Sequence, residues 1–153
     1  MSYNYNSNII TLDGRLDEAV WSTAEEHSDF VKIAVSGGGP AAVQTSFKVY
    51  SDDECVYFGF KCDEPDMASV IESHPFHDIW GCDSIEIFLA PSGKSFDFYQ
   101  FVVTFGARQI TLYHSEGGNI KPDPYKPFWK CAVYQGEDFW SAEAFCQFPS
   151  GNQ

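Results

Sequence analysis

The stretch that decides the fold is Asp78-Ile79-Trp80-Gly81-Cys82-Asp83-Ser84-Ile85-Glu86-Ile87-Phe88-Leu89-Ala90-Pro91. Successive side chains of a strand point to opposite faces, so the alternation over residues 84–89 predicts a strand with one apolar face turned to a core. The opposite face carries Glu86 in mid-strand. Burying an unpaired carboxylate costs on the order of several kcal/mol, so Glu86 should meet water or a definite hydrogen-bonding partner.

Trp80 precedes this strand and completes a candidate site. A flat indole beside a fixed carboxylate suits a sugar, since the ring can stack on a C–H face while the carboxylate accepts hydrogen bonds from hydroxyls. A core Trp and a solvated Glu are the alternative interpretation. These two residues alone leave both open.

Composition bounds the class of protein. The chain has 153 residues and is 44% hydrophobic, which predicts one globular domain over residues 1–153. Its 22 acidic and 9 basic side chains give a net charge of −13, which repels phosphate backbones and anionic lipid surfaces, so nucleic acid is not an expected partner. No apolar run reaches the length of a membrane span, so membrane insertion is not expected.

The beginning of the chain is polar. Residues 1–20 lack a basic start followed by an apolar block, so no signal peptide is expected in this chain. A mature region, or an internal piece of a longer protein, would both begin in this way.

Alternating apolar residues and polar or Gly/Pro turns predict most of the chain as strands. Besides residues 84–89, the predicted strands are 9–12, 30–35, 44–50, 55–62, 96–105, 109–114, 129–134 and 139–148. Strands 44–50 and 55–62 are expected to form a hairpin with the second of them central in its sheet, strands 129–134 and 139–148 are expected to form the last hairpin, and Trp140 is expected in the core. One short helix is predicted over residues 18–24, capped by Asp17, with Val20 and Trp21 turned inward and Trp21 in the core. Residues 63–79 and 115–128 are predicted as long loops. The expected fold is all-β: an antiparallel β-sandwich, jelly-roll or immunoglobulin-like, with one short N-terminal helix.

The strand over residues 96–105 extends the candidate site. Its alternation puts Gln100 and Thr104 on the face away from the core. If this strand pairs antiparallel with the strand that carries Glu86, the three side chains form one polar patch.

Five cysteines carry a further prediction. They include no C-x-x-C pair, which argues against a zinc knuckle or a thioredoxin-type motif. Cys131 and Cys146 flank the hairpin turn near residues 136–138, so a disulfide between them is expected in an oxidising compartment.

Metal binding has two candidate locations. His74, His77 and Asp78 could ligate a metal, but their spacing matches no closed motif and a surface loop is favoured. The acidic turns 52–54 and 63–66 could bind calcium through oxygen ligands, although such turns are usually only solvated.

Several stretches in order resemble a known family. They are Ile10-Thr11-Leu12-Asp13-Gly14-Arg15-Leu16-Asp17-Glu18-Ala19-Val20-Trp21, Lys48-Val49-Tyr50-Ser51-Asp52-Asp53-Glu54, Tyr57-Phe58-Gly59-Phe60, Trp80-Gly81-Cys82-Asp83-Ser84-Ile85-Glu86-Ile87-Phe88-Leu89, Tyr99-Gln100-Phe101 and Phe139-Trp140-Ser141-Ala142-Glu143. Over about residues 9–148 the chain is similar to family 9 carbohydrate-binding modules and the related DOMON domains.

The resemblance implies a β-sandwich that binds sugars, is often attached to glycoside hydrolases or displayed outside the cell, and holds structural calcium. Relatives grip the sugar between two Trp rings. Trp80 matches the first ring and Glu86 the acidic partner. Where the relatives carry Arg and Asn, this chain has Val102 and Thr104, and it has no match for the second ring, for which Trp129 is the candidate substitute.

Three functions follow as hypotheses. The first is a non-catalytic carbohydrate-binding module using Trp80, Glu86, Gln100, Thr104 and Trp129. The second is an extracellular structural or assembly domain that kept the fold, beside a neighbouring domain or self-associating through an open sheet edge.

An enzyme is the third hypothesis and is not expected. A glycosidase would need a second carboxylate beside Glu86, either Asp83 or Glu143. Strand alternation puts Asp83 on the opposite side of the strand from Glu86. No Ser-His-Asp, P-loop or H-E-x-x-H pattern supports catalysis either. The two Met residues and scattered His residues provide no axial pair for haem.

Overall fold

The computed structural model of the chain describes residues 8–73, 78–94, 96–115, 119–120 and 127–148. The chain divides into two compact units, residues 1–68 with 127–153 and residues 69–126, called here the first and second units. The single-domain expectation stays a prediction. The described elements in chain order are α1 Ala19–Thr23, β1 Glu26–His27, β2 Thr45–Ser51, β3 Val56–Asp63, α2 Met67–Ser73, β4 Ser84–Leu89, β5 Phe98–Thr104, β6 Gln109–Ser115, β7 Asn119–Ile120, β8 Phe128–Gln135 and β9 Phe139–Gln147.

The strands form two antiparallel sheets. The first unit holds a five-stranded sheet in the order β1-β2-β3-β9-β8, and the second unit holds a four-stranded sheet in the order β4-β5-β6-β7. The predicted all-β class is confirmed. The predicted central position of β3 and both predicted hairpins, β2–β3 and β8–β9, are confirmed as well.

Two predicted strands do not form. Residues 9–12 are not paired in a sheet, and the Thr11 N–H donates instead to the Glu18 carboxylate at 2.7 Å. Residues 30–35 contribute only the isolated bridge from Val31 to Pro40 and a short 3-10 turn. The three glycines at 37–39 all have positive φ and close this segment into a loop, in which the Lys32 N–H donates to the Gly39 carbonyl at 2.8 Å.

The expectation of only one helix is wrong. Helix α2 occupies part of the segment predicted as a long loop, where residues 67–73 contain neither Pro nor Gly. Helix α1 lies where it was predicted, but its N-cap is Glu18 and not Asp17, and the Glu18 side chain makes no capping bond because it accepts the Thr11 N–H.

The core of the first unit gathers around Trp21. This ring packs with Ile10, Cys55, Tyr57 and Phe145, all of which are buried. Trp21 was predicted to be a core residue, and this is confirmed. Trp140, which was also assigned to the core, is buried on β9.

Glu143 is the one charged side chain among the fully buried residues described, and it joins the N-terminal segment to the sheet. Its Oε1 accepts the Trp21 indole N–H at 2.7 Å, and its Oε2 accepts the backbone N–H groups of Asp13 at 3.2 Å and Gly14 at 3.0 Å. Three N–H donors offset much of the cost of removing a carboxylate from water. The carboxylate thereby holds the turn at residues 13–14 and helix α1 against β9.

Gly14 makes this arrangement sterically feasible. Its φ is +86°, and a Cβ atom built on it would lie 2.5 Å from the backbone nitrogen of Tyr134 on β8. Any other residue would clash with that strand and would also be strained at this φ. The Ser141 hydroxyl donates to the Gly14 carbonyl at 2.6 Å and completes the junction.

The predicted disulfide between Cys131 and Cys146 does not form. Cys131 lies opposite Ala144 on the neighbouring strand, while Cys146 lies opposite Trp129, so the two cysteines are two residues out of register. The structure holds all five cysteines as thiols. Burial raises the pKa of the Cys131 thiol to about 11 and that of Cys146 to about 12, which disfavours the thiolate that disulfide exchange requires.

Replacing Glu143 by Gln tests the junction. The amide nitrogen of Gln would face N–H groups in place of one carboxylate oxygen, so we expect the free energy of unfolding in urea to fall by about 2–3 kcal/mol. Glu137→Gln, the same change in the exposed β8–β9 turn, is the control and should lose almost nothing.

The same variant tests the titration of Glu143. Burial raises the pKa of this carboxyl from 4.5 to about 7, with Glu18 adding to the rise and the Trp21 N–H opposing it. Between those pH values the folded state holds a proton that the unfolded chain has released, so the free energy of unfolding falls as pH rises, by at most about 1.4 kcal/mol per pH unit. Equal pH slopes for wild type and Glu143→Gln would contradict this assignment.

Candidate functional site

The pairing of β4 with β5 decides which side chains share a surface in the second unit. Ser84 lies opposite Thr104, Glu86 opposite Val102, and Phe88 opposite Gln100. Directly opposed residues point to the same face of a sheet. The prediction that Glu86, Gln100 and Thr104 occupy one face is therefore confirmed by the register.

A polar row crosses three strands on this face. The Gln100 amide nitrogen donates to Glu86 Oε2 at 2.8 Å, and Gln100 Oε1 lies 2.8 Å from His114 Nε2. Each residue comes from a different strand, in the order β4, β5 and β6, and the two bonds run diagonally across the ladder. We call Glu86, Gln100 and His114 the polar row.

The bonds of the polar row fix the role of each atom. An amide oxygen only accepts, so His114 Nε2 carries the hydrogen and donates it to Gln100. When the imidazole is neutral, its Nδ1 is an acceptor. Among the described residues no hydrogen bond reaches Glu86 Oε1 or His114 Nδ1. The row therefore offers two acceptors while its central amide is held from both sides.

Gln100 is only 9% exposed, whereas Glu86 is exposed. From the middle strand, the Gln100 amide thus positions the carboxylate on one side and the imidazole on the other, and it is itself shielded from solvent. Sequence reasoning assigned Gln100 to direct contact with a ligand, and the structure gives it a positioning role as well.

Trp80 lies in the turn before β4 and is 55% exposed. Asp78 shapes this turn, since its Oδ1 accepts the backbone N–H groups of Trp80 at 3.1 Å and Gly81 at 2.8 Å. The alternative that Trp80 is a core residue is therefore excluded. The Asp78 carboxylate serves the turn, and the other two candidate metal ligands, His74 and His77, lie outside the described residues.

Thr104 and Trp129 have little surface to offer a ligand. Thr104 is fully buried, and its Oγ1 accepts the backbone N–H of Arg108 at 3.2 Å. Trp129 is 8% exposed and lies on β8 in the five-stranded sheet of the first unit, opposite Cys146. The structure thus brings Glu86 and Gln100 together, leaves Trp80 exposed in the turn before β4, and removes Thr104 and Trp129 from the candidate site.

An aromatic row on the same face was not anticipated. Phe88 and Phe98 have ring centroids 5.8 Å apart at 58°, and Phe98 stacks on His114 at 4.6 Å and 15°. We call Phe88, Phe98 and His114 the aromatic row. The alternation places Phe88 and Phe98 on the face of Glu86, but only the register of β6 shows that His114 joins both rows.

The predicted calcium binding concerns the acidic turns 52–54 and 63–66. The Asp52 carboxylate accepts hydrogen bonds from groups of its own hairpin. Partial burial acts to raise the pKa of Asp52, but the backbone N–H groups of Cys55 and Glu54 and the Tyr57 hydroxyl lower it. The described ranges bring no three His, Cys, Asp or Glu side chains into a metal-binding group. Calcium binding stays a prediction.

Comparison with known proteins adds to this geometry. The two antiparallel sheets make the protein all-β, and its second unit carries an exposed indole and a carboxylate held by a hydrogen bond. A family model described as carbohydrate family 9 binding domain-like matches residues 12–119, so the chain belongs to that family. A search of curated proteins found no match.

Solved structures are similar in fold. The carbohydrate-binding module of family 9 from Caldicellulosiruptor kristjanssonii in complex with cellotriose has a TM-score of 0.58 and 19% identity, over 93% of this chain and 64% of that chain. A family 9 module from the same organism in complex with glucose has a TM-score of 0.58 and 20% identity, over 98% of this chain and 68% of that chain. A protein from Bacteroides uniformis has a TM-score of 0.55 and 15% identity, over 84% and 62%. The likeness confirms the fold as that of a family 9 module, and the chain spans about 64% of the length of the first of these structures.

No described helix has the length and hydropathy of a bilayer span.

A double-mutant cycle tests the polar row. Gln100→Leu removes both bonds of the central amide and should lower the free energy of unfolding by about 1–2 kcal/mol. Because Glu86→Ala removes one of the same bonds, the double variant should lose less than the sum of the singles, with a coupling of about 0.5–1 kcal/mol by urea denaturation. Gln100→Leu combined with Glu137→Gln should be additive, and additivity in both cycles would contradict the row.

Proposed function

We propose that this chain is a non-catalytic carbohydrate-binding module whose sugar site lies on the face of β4 that carries Glu86 and on the turn before that strand. The observation that carries the proposal is Glu86: an exposed carboxylate on a rigid strand, held through one oxygen by Gln100 and presenting the other to solvent. Such an oxygen makes a charge-assisted hydrogen bond to a sugar hydroxyl.

Trp80 supplies the apolar half of the site. More than half of its surface is exposed although the indole is large and apolar, and its turn is fixed by two hydrogen bonds to Asp78. A rigid aromatic ring loses little conformational entropy when a ligand stacks on it. The family and the similar fold of modules solved with cellotriose and glucose support a sugar as that ligand.

The absence of catalysis is part of the proposal. Glycoside hydrolysis needs two carboxyl groups across one cleft. Glu143, one candidate for the second carboxyl, is fully buried and accepts three N–H bonds inside the first unit, so it is committed to the fold. Asp83 precedes β4, and strand alternation directs it away from the face of Glu86.

Display outside the cell or on its surface completes the proposal, and membership in the family supports it. Fractionation of the native host, with an antibody against this chain, tests the location.

Titration calorimetry tests the sugar site. We expect heat on adding glucose, xylose or cellotriose to the wild type, about a tenfold loss of affinity for Trp80→Ala from the lost stacking surface, and a similar loss for Glu86→Gln from the lost charge. Phe96→Ala, which removes another exposed ring from the same unit, is the matched control and should bind like the wild type. A wild-type protein that releases no heat with any of these sugars would sink the proposal.

A structural or assembly role is the second candidate. Strand β4 is at the edge of the four-stranded sheet, and the part of the chain that the structure describes places no strand on its outer side. An open edge can pair with a strand of another chain or a neighbouring domain. The net charge of −13 opposes association with a second copy, which ranks this function below sugar binding. Light scattering across protein concentrations decides, because a strict monomer at high concentration removes self-association.

A further inference from the structure

We infer that the aromatic row, Phe88, Phe98 and His114, is a second sugar-stacking subsite beside Glu86, so that the preferred ligand is a neutral oligosaccharide rather than a single sugar. The inference rests on the proposed function, because it extends the same surface along the sheet.

Phe88 provides the stacking surface. It is 56% exposed, although its neighbours Ile85 and Ile87 on the other face of β4 are buried. The 58° angle to Phe98 means that Phe98 does not cover the Phe88 ring face to face. A large exposed ring on a regular strand has a fixed direction, and it gains free energy when a C–H face of a sugar removes it from water.

The support beneath Phe88 is rigid. Phe98 stacks on His114 at 15°, and the His114 ring is held by the hydrogen bond from its Nε2 to Gln100. The aromatic row and the polar row therefore share His114 and are positioned together. A preformed surface of this kind lowers the entropy lost when a ligand binds.

The polar atoms that flank the aromatic row suit hydroxyl groups. Glu86 Oε1 lies on one side and His114 Nδ1 on the other, and both are acceptors that no described residue occupies. Sugar hydroxyls donate to such acceptors. Two acceptors on either side of an aromatic surface match a ring that presents hydroxyls at its edges and C–H groups on its face.

The dimensions favour more than one sugar ring. Glu86 and Phe88 are two residues apart on one face of β4, which separates them by about 7 Å along the strand. The aromatic row spans three adjacent strands, a width of about 10 Å. One pyranose ring is too small to contact the Glu86 carboxylate and the whole aromatic row together, whereas consecutive rings of a chain can do so.

The charge of the chain selects among oligosaccharides. One acceptor of this surface is the Glu86 carboxylate, and the chain carries a net charge of −13. Uronic acid or sulfated sugars would place a second negative charge next to it, which costs free energy. The ligand class is therefore neutral.

Titration calorimetry with glucose and cellotriose tests the subsite. In the wild type we expect cellotriose to bind about tenfold more tightly than glucose, the effect of one additional stacked ring. In Phe88→Ala the ratio of the two affinities should fall to near one, and Phe88→Trp, which keeps an aromatic surface, should preserve it. Phe96→Ala, with a ring 52% exposed against 56% for Phe88, is the matched control and should keep the wild-type ratio. Thermal melts of every variant show that the fold is retained.

The outcomes separate the two hypotheses. Equal affinities for glucose and cellotriose in the wild type, or an unchanged ratio in Phe88→Ala, would overturn the second subsite and leave the proposed sugar site standing. Wild-type protein that binds neither sugar would overturn the proposed function, and the inference with it. A preference for an acidic oligosaccharide such as trigalacturonate over cellotriose would overturn the assignment to a neutral ligand.

Discussion

The antiparallel register between β4 and β5 is the constraint on which the candidate site depends. Because Phe88 lies opposite Gln100 and Glu86 opposite Val102, the Gln100 amide reaches the carboxylate diagonally, across one step of the ladder. A slip of one residue would turn every side chain of β4 to the other face. The buried side chains Ile85 and Ile87 oppose such a slip, since it would exchange them with a carboxylate. The same apolar alternation that stabilises the strand therefore also positions the site.

The first unit depends on a different polar contact. Glu143 brings a carboxylate into a fully buried position, where the indole N–H of Trp21 and two backbone N–H groups satisfy it. Its removal from water costs free energy that only this set of donors offsets. The N-terminal segment is accordingly held to the five-stranded sheet at one specific place, with Gly14 allowing the backbones to approach. Of the two candidate carboxylates, one thus maintains the fold and the other remains exposed.

The positions of the two aromatic groups show how far pattern alone could go. The alternation of residues 84–89 correctly indicated a solvent-facing Glu86, but it left open whether Trp80 is exposed or belongs to the core, which only the structure decided. It also implied that Phe88 faces solvent, but a single exposed ring has no evident role. The role emerges only when Phe98 and His114, from two other strands, lie beside it. Val102 and Thr104 lie on the same face, but both are fully buried, so the exposed part of this face belongs mainly to β4.

The sequence by itself determined the all-β class, the hairpins β2–β3 and β8–β9, the bounds of β4 and the burial of Trp21, because these follow from local alternation and turn chemistry. Only the tertiary structure decided the rest. The strands expected at residues 9–12 and 30–35 lose their pairing to contacts with Glu18 and to a three-glycine loop. The expected disulfide fails on a register offset of two residues. His114 joins Gln100, and Glu143 joins Trp21, across 14 and 122 positions of the chain. Contacts of that separation depend on which strands become neighbours, and no local pattern encodes this.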